Sequence, residues 1–208
     1  MANIARAYGL ASTAEARSLY DEWAATFDEE MASASQDYVA PAIATKCLVD
    51  SLKSQNLTDI KILDAGCGTG LVGAHLAKLG AKHIDGVDLS PGMLEVARQT
   101  GNYKSLKTAD LSQPLDCPSN TYQVVMCIGT LTQGHVGPEV LFDFARAVEQ
   151  GGLVIATVLS TIWESGGYSD AVTRMVRERK VSLVSDEIED YRRGAGVQAR
   201  MVILRVLS

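Results

Sequence analysis

The chain has 208 residues, of which 47% are hydrophobic and 21% charged, and its formal net charge is −6. This composition is ordinary for one globular domain with a full core, and it argues against disorder. A mildly acidic chain is a poor electrostatic partner for nucleic acid or an anionic membrane, so we expect neither as a partner. The 18 glycines are more informative, because glycine serves where the backbone turns sharply or approaches a ligand.

The four cysteines form no Cys-x-x-Cys pair and have no spacing typical of a zinc site, so we expect reduced thiols and no metal. The amino terminus has no basic region followed by a long apolar stretch. The apolar runs are much shorter than the roughly 20 residues that cross a bilayer. These features predict a cytoplasmic protein.

Two helices are predicted first, over 12–34 behind a capping box at Ser12-Thr13-Ala14-Glu15, and over 39–54. From residue 60 onward, short apolar runs alternate with amphipathic helices. Strands are predicted at 60–64, 82–88, 104–109, 122–128, 153–159, 181–190 and 199–207, and helices at 70–79, 90–101, 138–149 and 169–179. This alternation predicts a parallel sheet with helices on both faces, and the last two strands predict an antiparallel hairpin at its edge. Ligands of such sheets bind outside the carboxyl ends of the strands.

A glycine-rich loop follows the first predicted strand, in the sequence Asp64-Ala65-Gly66-Cys67-Gly68-Thr69-Gly70. Its three alternating glycines allow positive φ and let a ligand lie against the backbone. The stretch Gly68-x-Gly70-x-x-Gly73 also matches the dinucleotide fingerprint. Two ligand classes therefore compete for this loop.

Acidic residues at three successive strand ends help to separate the two classes. Asp64 would repel a pyrophosphate but suits a ligand with a cationic group, and S-adenosylmethionine carries an ammonium and a sulfonium. Asp88 ends the next strand, where it can accept hydrogen bonds from ribose hydroxyls in either ligand. Asp110 follows the third strand, where it could accept a hydrogen bond from the exocyclic amine of adenine.

These segments resemble the class I S-adenosylmethionine-dependent methyltransferases. The loop at 64–70 looks like motif I of that family, and Val87-Asp88-Leu89-Ser90-Pro91-Gly92-Met93-Leu94 looks like its second-strand motif. Ala109-Asp110-Leu111 stands where the adenine-contacting motif is expected, and Gln150-Gly151-Gly152-Leu153 resembles the turn before strand five, with Gln150 in place of proline. The resemblance covers roughly residues 15–208, and the nearest subgroup is the methyltransferase-like proteins typified by one from the Williams–Beuren syndrome region.

The resemblance implies a Rossmann-like three-layer sandwich with a mostly parallel seven-stranded sheet and a C-terminal antiparallel hairpin. Residues 1–56 are expected to form a helical lid over the cofactor and substrate site, and residues 57–208 the methyltransferase core. The residues predicted to contact S-adenosylmethionine are Tyr20, Trp23, Asp64, Ala65, Gly66, Cys67, Gly68, Gly70, Leu71, Asp88, Leu89, Met93, Ala109, Asp110, Leu111, Cys127, Ile128 and Gly129.

The acceptor is expected to be a small molecule, for example a secondary metabolite. The loop at 127–135 lacks the Asn/Asp-Pro-Pro-Tyr/Phe tetrapeptide of enzymes that methylate base or amide nitrogens. His135 is the candidate catalytic base, because its intrinsic pKa suits proton transfer near neutrality. A loop histidine that only forms hydrogen bonds is the alternative. His135, Tyr38 and Trp163 are predicted to line the acceptor pocket.

Three functions remain open at this stage. The first is methyl transfer to an oxygen or nitrogen of a small molecule, leaving S-adenosylhomocysteine as product. The second is a protein of the same fold that binds the cofactor without methylating, such as a cofactor-dependent cyclase or a binding module. The third is a dinucleotide oxidoreductase, suggested by Gly68–Gly73.

Overall fold

The computed structural model describes residues 2–10, 12–54 and 56–207. In chain order the elements are α1 (Ala2–Ala7), α2 (Thr13–Trp23), α3 (Phe27–Ala32), α4 (Ala40–Leu52), β1 (Lys61–Ala65), α5 (Leu71–Lys78), β2 (His83–Asp88), α6 (Pro91–Gln99), β3 (Ser105–Thr108), β4 (Tyr122–Leu131), α7 (Val140–Ala147), β5 (Val148–Leu159), α8 (Tyr168–Arg177), β6 (Val181–Arg192) and β7 (Val197–Val206). Short 3₁₀ turns at Ser160–Ile162 and Arg193–Ala195 follow β5 and β6.

One seven-stranded sheet has the order β3-β2-β1-β4-β5-β7-β6. The first five strands are parallel, and β7 is antiparallel to both β5 and β6. The predicted Rossmann-like sandwich with its C-terminal hairpin is confirmed. Because β5 and β6 both run against β7, they point the same way, so β6 ends at the edge where the parallel strands end. The chain therefore brings the end of its penultimate strand to the ligand-binding edge.

The core has two halves, one on each face of the sheet. Successive side chains of a strand point to opposite faces. Accordingly Leu63 packs with Phe144 of α7 and Met175 of α8, while Ile62 packs with Leu48 of α4 and with α5. Helices thus cover both faces, which is why the central strands are almost continuously apolar.

The amino-terminal helices differ from the prediction. The helix expected over 12–34 is two helices, α2 and α3, with a turn at 24–26 between them. Trp23 and Phe27 still meet edge to face, with ring centroids 4.9 Å apart, so the apolar spacing survives the break. The prediction did not include α1. The N-cap at Ser12 is confirmed, since its side chain accepts a hydrogen bond from the Glu15 N–H.

Within the lid predicted over 1–56, most of the residues that line the cavity belong to α1, α2 and α3 or to the turns beside them. Ala44 and Leu48 of α4 are fully buried against the sheet, so α4 belongs to the helical layer of the core. The covering segment consists of α1, α2 and α3. Over the described ranges, no helix is both long and apolar enough to cross a membrane.

Two phenylalanines of α7 offer a test of this packing. Phe144 is fully buried, whereas Phe142 is only half-buried beside the Arg174 guanidinium. Phe144→Ala should lower the free energy of unfolding by about 3–5 kcal/mol, because it leaves a cavity between α7 and the sheet. Phe142→Ala is the matched control and should cost clearly less. Urea unfolding followed by circular dichroism measures both, and equal losses would contradict the described core.

Candidate active site

The loop between β1 and α5 is built from glycines in the left-handed region. Gly66 has φ 75°, Gly68 has φ 53° and Gly70 has φ 97°. At Gly66 a Cβ atom would also lie 2.0 Å from Oγ1 of Thr130, so this position excludes any side chain. At Gly68 a Cβ would meet nothing within 4 Å, and this residue lines the large cavity at the carboxyl ends of the strands. The backbone of Gly68 is therefore accessible to a ligand.

The Asp88 carboxylate holds this loop in place from the end of β2. One oxygen accepts a hydrogen bond of 2.8 Å from the Gly68 N–H, and the other accepts one of 2.9 Å from the Ser90 N–H. Burial raises the pKa of Asp88 despite these two N–H donors, which act in the opposite direction. Asp88 is half-buried and lines the cavity, so its remaining lone pairs can accept hydrogen bonds from a ligand.

Asp64 lies beneath the loop and is fully buried. Its Oδ2 accepts a 2.6 Å hydrogen bond from the Tyr103 hydroxyl, and its Oδ1 has no partner within the described part of the chain. Burial raises the pKa of Asp64 to about 7, and the bond from Tyr103 only partly opposes that shift. Asp64 does not itself line the cavity. It supplies an unsatisfied oxygen directly behind the loop.

The third acidic position lies at the end of β3. Asp110 accepts a 2.8 Å hydrogen bond from the Ser112 N–H, and it lines the cavity together with Ala109 and Leu111. Asp88 and Asp110 thus line one cavity and Asp64 lies behind its wall, so the ends of three neighbouring strands converge here as their order in the sequence predicts.

Two carboxylates of the covering segment bind this same edge. Asp21 of α2 accepts hydrogen bonds from the Ser90 hydroxyl at 2.6 Å and from the Gly92 N–H at 2.8 Å, which places a negative charge at the amino terminus of α6. Asp28 of α3 accepts a hydrogen bond from the Thr69 hydroxyl in the glycine loop. The covering helices are thus attached to the loops after β1 and β2.

His135 and Tyr20 meet on the opposite wall of the cavity. The Nδ1 atom of His135 lies 2.9 Å from both the Thr132 hydroxyl and the Gln133 carbonyl oxygen. The hydroxyl can donate or accept and the carbonyl oxygen can only accept, so we assign the proton to Nδ1 of the His135 ring. Its Nε2 therefore accepts the 2.9 Å hydrogen bond from the Tyr20 hydroxyl. Burial lowers the pKa of His135 below its ordinary value and raises that of Tyr20. Both rings are neutral at neutral pH.

Most of the predicted site residues line this one cavity. They are Tyr20, Trp23, Tyr38, Gly66, Cys67, Gly68, Leu71, Asp88, Leu89, Met93, Ala109, Asp110, Leu111, Ile128, Gly129 and His135. Asp64, Ala65, Gly70 and Cys127 lie behind its wall instead. The buried residues Ala65 and Cys127 belong to the core, and Gly70 packs against Tyr103 and Ala97 of α6.

Trp163 requires a correction. It is not in the cavity but in the core beside α7 and α8, with the Arg200 guanidinium over its ring at 5.2 Å. The 3₁₀ turn Ser160–Ile162 separates it from the end of β5, so its position next to that strand in sequence does not bring it to the site.

Sequence reasoning missed several polar residues of the cavity, among them Tyr8, Thr130, Tyr191 and Arg192. Tyr8 follows α1, which was not predicted. Tyr191 and Arg192 end β6, and the predicted hairpin already implied that this strand ends at the ligand-binding edge.

Sequence comparison assigns residues 62–152 to a methyltransferase domain. Human methyltransferase-like protein 27 is 37% identical over 157 residues, covering 75% of this chain and 62% of that protein. A ubiquinone biosynthesis O-methyltransferase from Colwellia psychrerythraea is 30% identical over 151 residues, covering 69% of this chain and 58% of the relative. The chain thus spans less than two thirds of the length of both relatives.

Structure comparison finds magnesium protoporphyrin IX methyltransferase of Synechocystis PCC 6803, solved with bound S-adenosylmethionine. Its TM-score is 0.61 and its identity 21%, with 81% of this chain and 79% of that chain covered. The same enzyme was solved with S-adenosylhomocysteine. Residues 62–152 therefore form a methyltransferase domain, and the chain has the fold of class I S-adenosylmethionine-dependent methyltransferases. The neighbours solved with S-adenosylmethionine and S-adenosylhomocysteine support the predicted cofactor.

Asp64 should make the stability of the cofactor-free protein depend on pH. Its folded pKa of about 7 lies above the ordinary value for aspartate, so the folded state keeps a proton that the unfolded state releases. The free energy of unfolding should then fall by roughly 1–3 kcal/mol between about pH 5 and about pH 8 through this group. Asp64→Asn should remove that part of the pH dependence in urea unfolding. The same slope in both proteins would contradict the raised pKa.

Asp88 should control cofactor affinity. An asparagine there presents one N–H donor group in place of an acceptor, so it cannot receive bonds from Gly68, Ser90 and a ligand together. We expect Asp88→Asn to weaken S-adenosylhomocysteine binding by roughly 1–3 kcal/mol in calorimetry. Asp85→Asn, on the same strand with its carboxylate bonded to Ser105 and Tyr122, is the control and should keep the affinity. Equal losses in both variants would indicate a general fold defect.

Proposed function

We propose that this protein transfers the methyl group of S-adenosylmethionine to an oxygen or nitrogen of a small molecule. The observation that carries the proposal is the Tyr20–His135 hydrogen bond, which lies on the wall of the cavity that also contains Gly68 and Asp88. The candidate acid–base pair therefore lies in the same cavity as the residues proposed to bind the nucleoside of the cofactor. The small-molecule acceptor and the roles of individual residues are part of the proposal.

The residues present fit S-adenosylmethionine in three respects. Asp64 places a carboxyl group with a partnerless Oδ1 behind the glycine loop, which favours a cationic ligand group at the loop over an anionic one. The open space in front of Gly68 lets a ligand approach the backbone. Asp88 and Asp110 offer acceptors for ribose hydroxyls and for an adenine amine. When bound, the cofactor supplies an electrophilic methyl group on a positively charged sulfur.

A dinucleotide fits this site less well. Asp64 and Asp88 stand at the loop that would have to accept a pyrophosphate, and Asp110 lines the same cavity. The third glycine of the fingerprint, Gly73, also has a different use, since a Cβ there would lie 2.4 Å from the Tyr103 ring. That glycine permits the contact between α5 and Tyr103, whose hydroxyl in turn positions Asp64.

We assign the proton transfer to Tyr20 and His135 together. The lone pair of His135 Nε2 is occupied by the Tyr20 hydroxyl, so an acceptor hydroxyl would reach the tyrosine oxygen first. As the acceptor loses its proton to the Tyr20 oxygen, the Tyr20 proton passes to His135 Nε2, and the resulting imidazolium later returns it to solvent. The lowered pKa of His135 keeps the base free at neutral pH.

The covering helices support a small acceptor. Tyr20, Trp23 and Phe27 of α2 and α3 form an aromatic wall, with Tyr20 and Trp23 stacked at 6.0 Å between centroids. An aromatic wall of this kind helps to exclude water from a methyl transfer, and it favours a small acceptor over a polymer. One relative is named for O-methylation in ubiquinone biosynthesis, which is consistent with a hydroxyl acceptor.

Incubation with methyl-labelled S-adenosylmethionine and a panel of small hydroxyl and amine compounds tests the proposal. We expect label in one or more acceptors and formation of S-adenosylhomocysteine in equal amount. Conversion of a compound without S-adenosylhomocysteine would instead support a cofactor-binding protein that does not methylate. Calorimetry with S-adenosylhomocysteine and with NAD is the accompanying measurement, and binding of NAD alone would overturn the cofactor assignment.

The proposed base predicts a particular pH profile. Protonated His135 cannot accept a proton, so kcat should rise with pH through an apparent pKa below about 6.5 and then remain level. His135→Gln should lower kcat about 100-fold and abolish the acidic limb, and Tyr20→Phe should lower kcat while leaving S-adenosylhomocysteine affinity unchanged. His83→Gln, at the start of β2 and outside the cavity, is the control. An acidic limb that persists in His135→Gln would exclude this base.

A further inference from the structure

Arg192 is a buried cation in the wall of the cavity. It is the last residue of β6, its exposed fraction is 5%, and it lines the same space as Asp88 and His135. Its guanidinium donates one hydrogen bond to the Gln36 side-chain oxygen at 2.7 Å and one to the Tyr8 hydroxyl. Neither partner is a carboxylate. The two bonds orient the guanidinium but leave its charge uncompensated.

Arg192 combines burial with the lack of an acidic partner. Within residues 2–10, 12–54 and 56–207, no carboxylate forms an ion pair with Arg192, whereas the next residue, Arg193, pairs with Asp37 at 2.8 Å. Burying an ionised group is costly unless an opposite charge compensates it, and buried charges in proteins are normally paired. Two of the five N–H donors of the guanidinium are used by Gln36 and Tyr8, so donors remain for a ligand.

Contacts connect Arg192 to the reaction centre. The backbone of Arg192 forms a β-bridge with Tyr38, and the rings of Tyr38 and Tyr191 meet edge to face at 5.2 Å. The Tyr191 hydroxyl donates to the Gly129 carbonyl within β4. Burial is the main cause that raises the pKa of Tyr20, and the Asp88 charge adds to it while the Arg192 charge opposes it. The charges of Asp88 and Arg192 therefore both act on the Tyr20 hydroxyl.

We propose that Arg192 binds a carboxylate of the acceptor, so that the acceptor is a ring-containing carboxylic acid. The fork of the guanidinium matches a carboxylate, and the aromatic rings of Tyr8, Tyr38 and Tyr191 beside it suit a flat apolar body. The other end of that body would reach Tyr20 and His135. This inference rests on the proposed methyltransferase function, which it narrows to a class of acceptor.

Matched acid and amide pairs test the inference. The wild-type protein is first saturated with S-adenosylhomocysteine and then titrated calorimetrically with benzoate, benzamide, 2-naphthoate and 2-naphthamide. We expect at least one acid to bind about tenfold more tightly than its amide, because only the acid gains a charge-assisted bond. Equal binding within each pair, or no saturable binding by either acid, overturns the inference.

Variants separate ligand binding from a structural role. Arg192→Met should abolish the preference for the acid and leave the affinities for the amide and for S-adenosylhomocysteine unchanged, and Arg192→Lys should keep part of the preference. Arg193→Met removes the exposed neighbouring arginine and should keep the full preference. If Arg192→Met does not fold, the lysine variant and the wild-type pairs still decide.

The two proposals fail in different ways. Absence of S-adenosylhomocysteine binding by the wild type would remove the proposed function and this inference with it. Normal S-adenosylhomocysteine binding with no discrimination between acid and amide would overturn the role of Arg192 alone.

Discussion

The carboxylate of Asp88 fixes the loop after β1 to the end of β2, through one hydrogen bond from the Gly68 N–H and one from the Ser90 N–H. The loop has no side chains of its own at its three glycines and would otherwise have many conformations. Because both donors are backbone groups, the arrangement is independent of neighbouring side-chain identities. The backbone at Gly68 stays accessible to a ligand because the hydrogen bond from its N–H to Asp88 holds the loop in this conformation. The remaining cavity residues are arranged around that backbone.

Ser90 extends this constraint to the covering helices. Its N–H donates to Asp88, its hydroxyl donates to Asp21 of α2, and the same hydroxyl accepts from the Met93 N–H as the N-cap of α6. A single residue therefore joins the loop edge, the start of a helix and the covering segment. Asp28 repeats the connection through Thr69 in the glycine loop. One hydrogen-bond network therefore both orders the loops after β1 and β2 and holds α2 and α3 against them.

The sequence predicted those parts of the molecule that depend on local pattern. Apolar runs located β1 to β5, and the strand-to-loop positions of Asp88 and Asp110 placed them correctly in the cavity, because the ends of parallel strands must converge. The turn that splits the helix over 12–34 has no glycine or proline to reveal it. It follows from tertiary bonds made by Asp21 and Asp28, which periodicity does not encode. The prediction for Trp163 was wrong for a similar reason, because the short 3₁₀ turn before it decides which side of the sheet its side chain reaches.

For Asp64 and Arg192, the charge of the residue type indicates a functional position only once the fold shows that the residue is buried. As residue types they contribute opposite unit charges to a net value of −6, which says nothing about their positions. In the fold one is fully buried behind the glycine loop and the other is nearly buried in the opposite part of the cavity wall. In a medium of low polarity such charges act over the whole space between them. The carboxyl groups of Asp64 and Asp88 thus stand at the glycine loop and the guanidinium of Arg192 at the end of β6, an arrangement that suits a ligand with both a cationic and an anionic group.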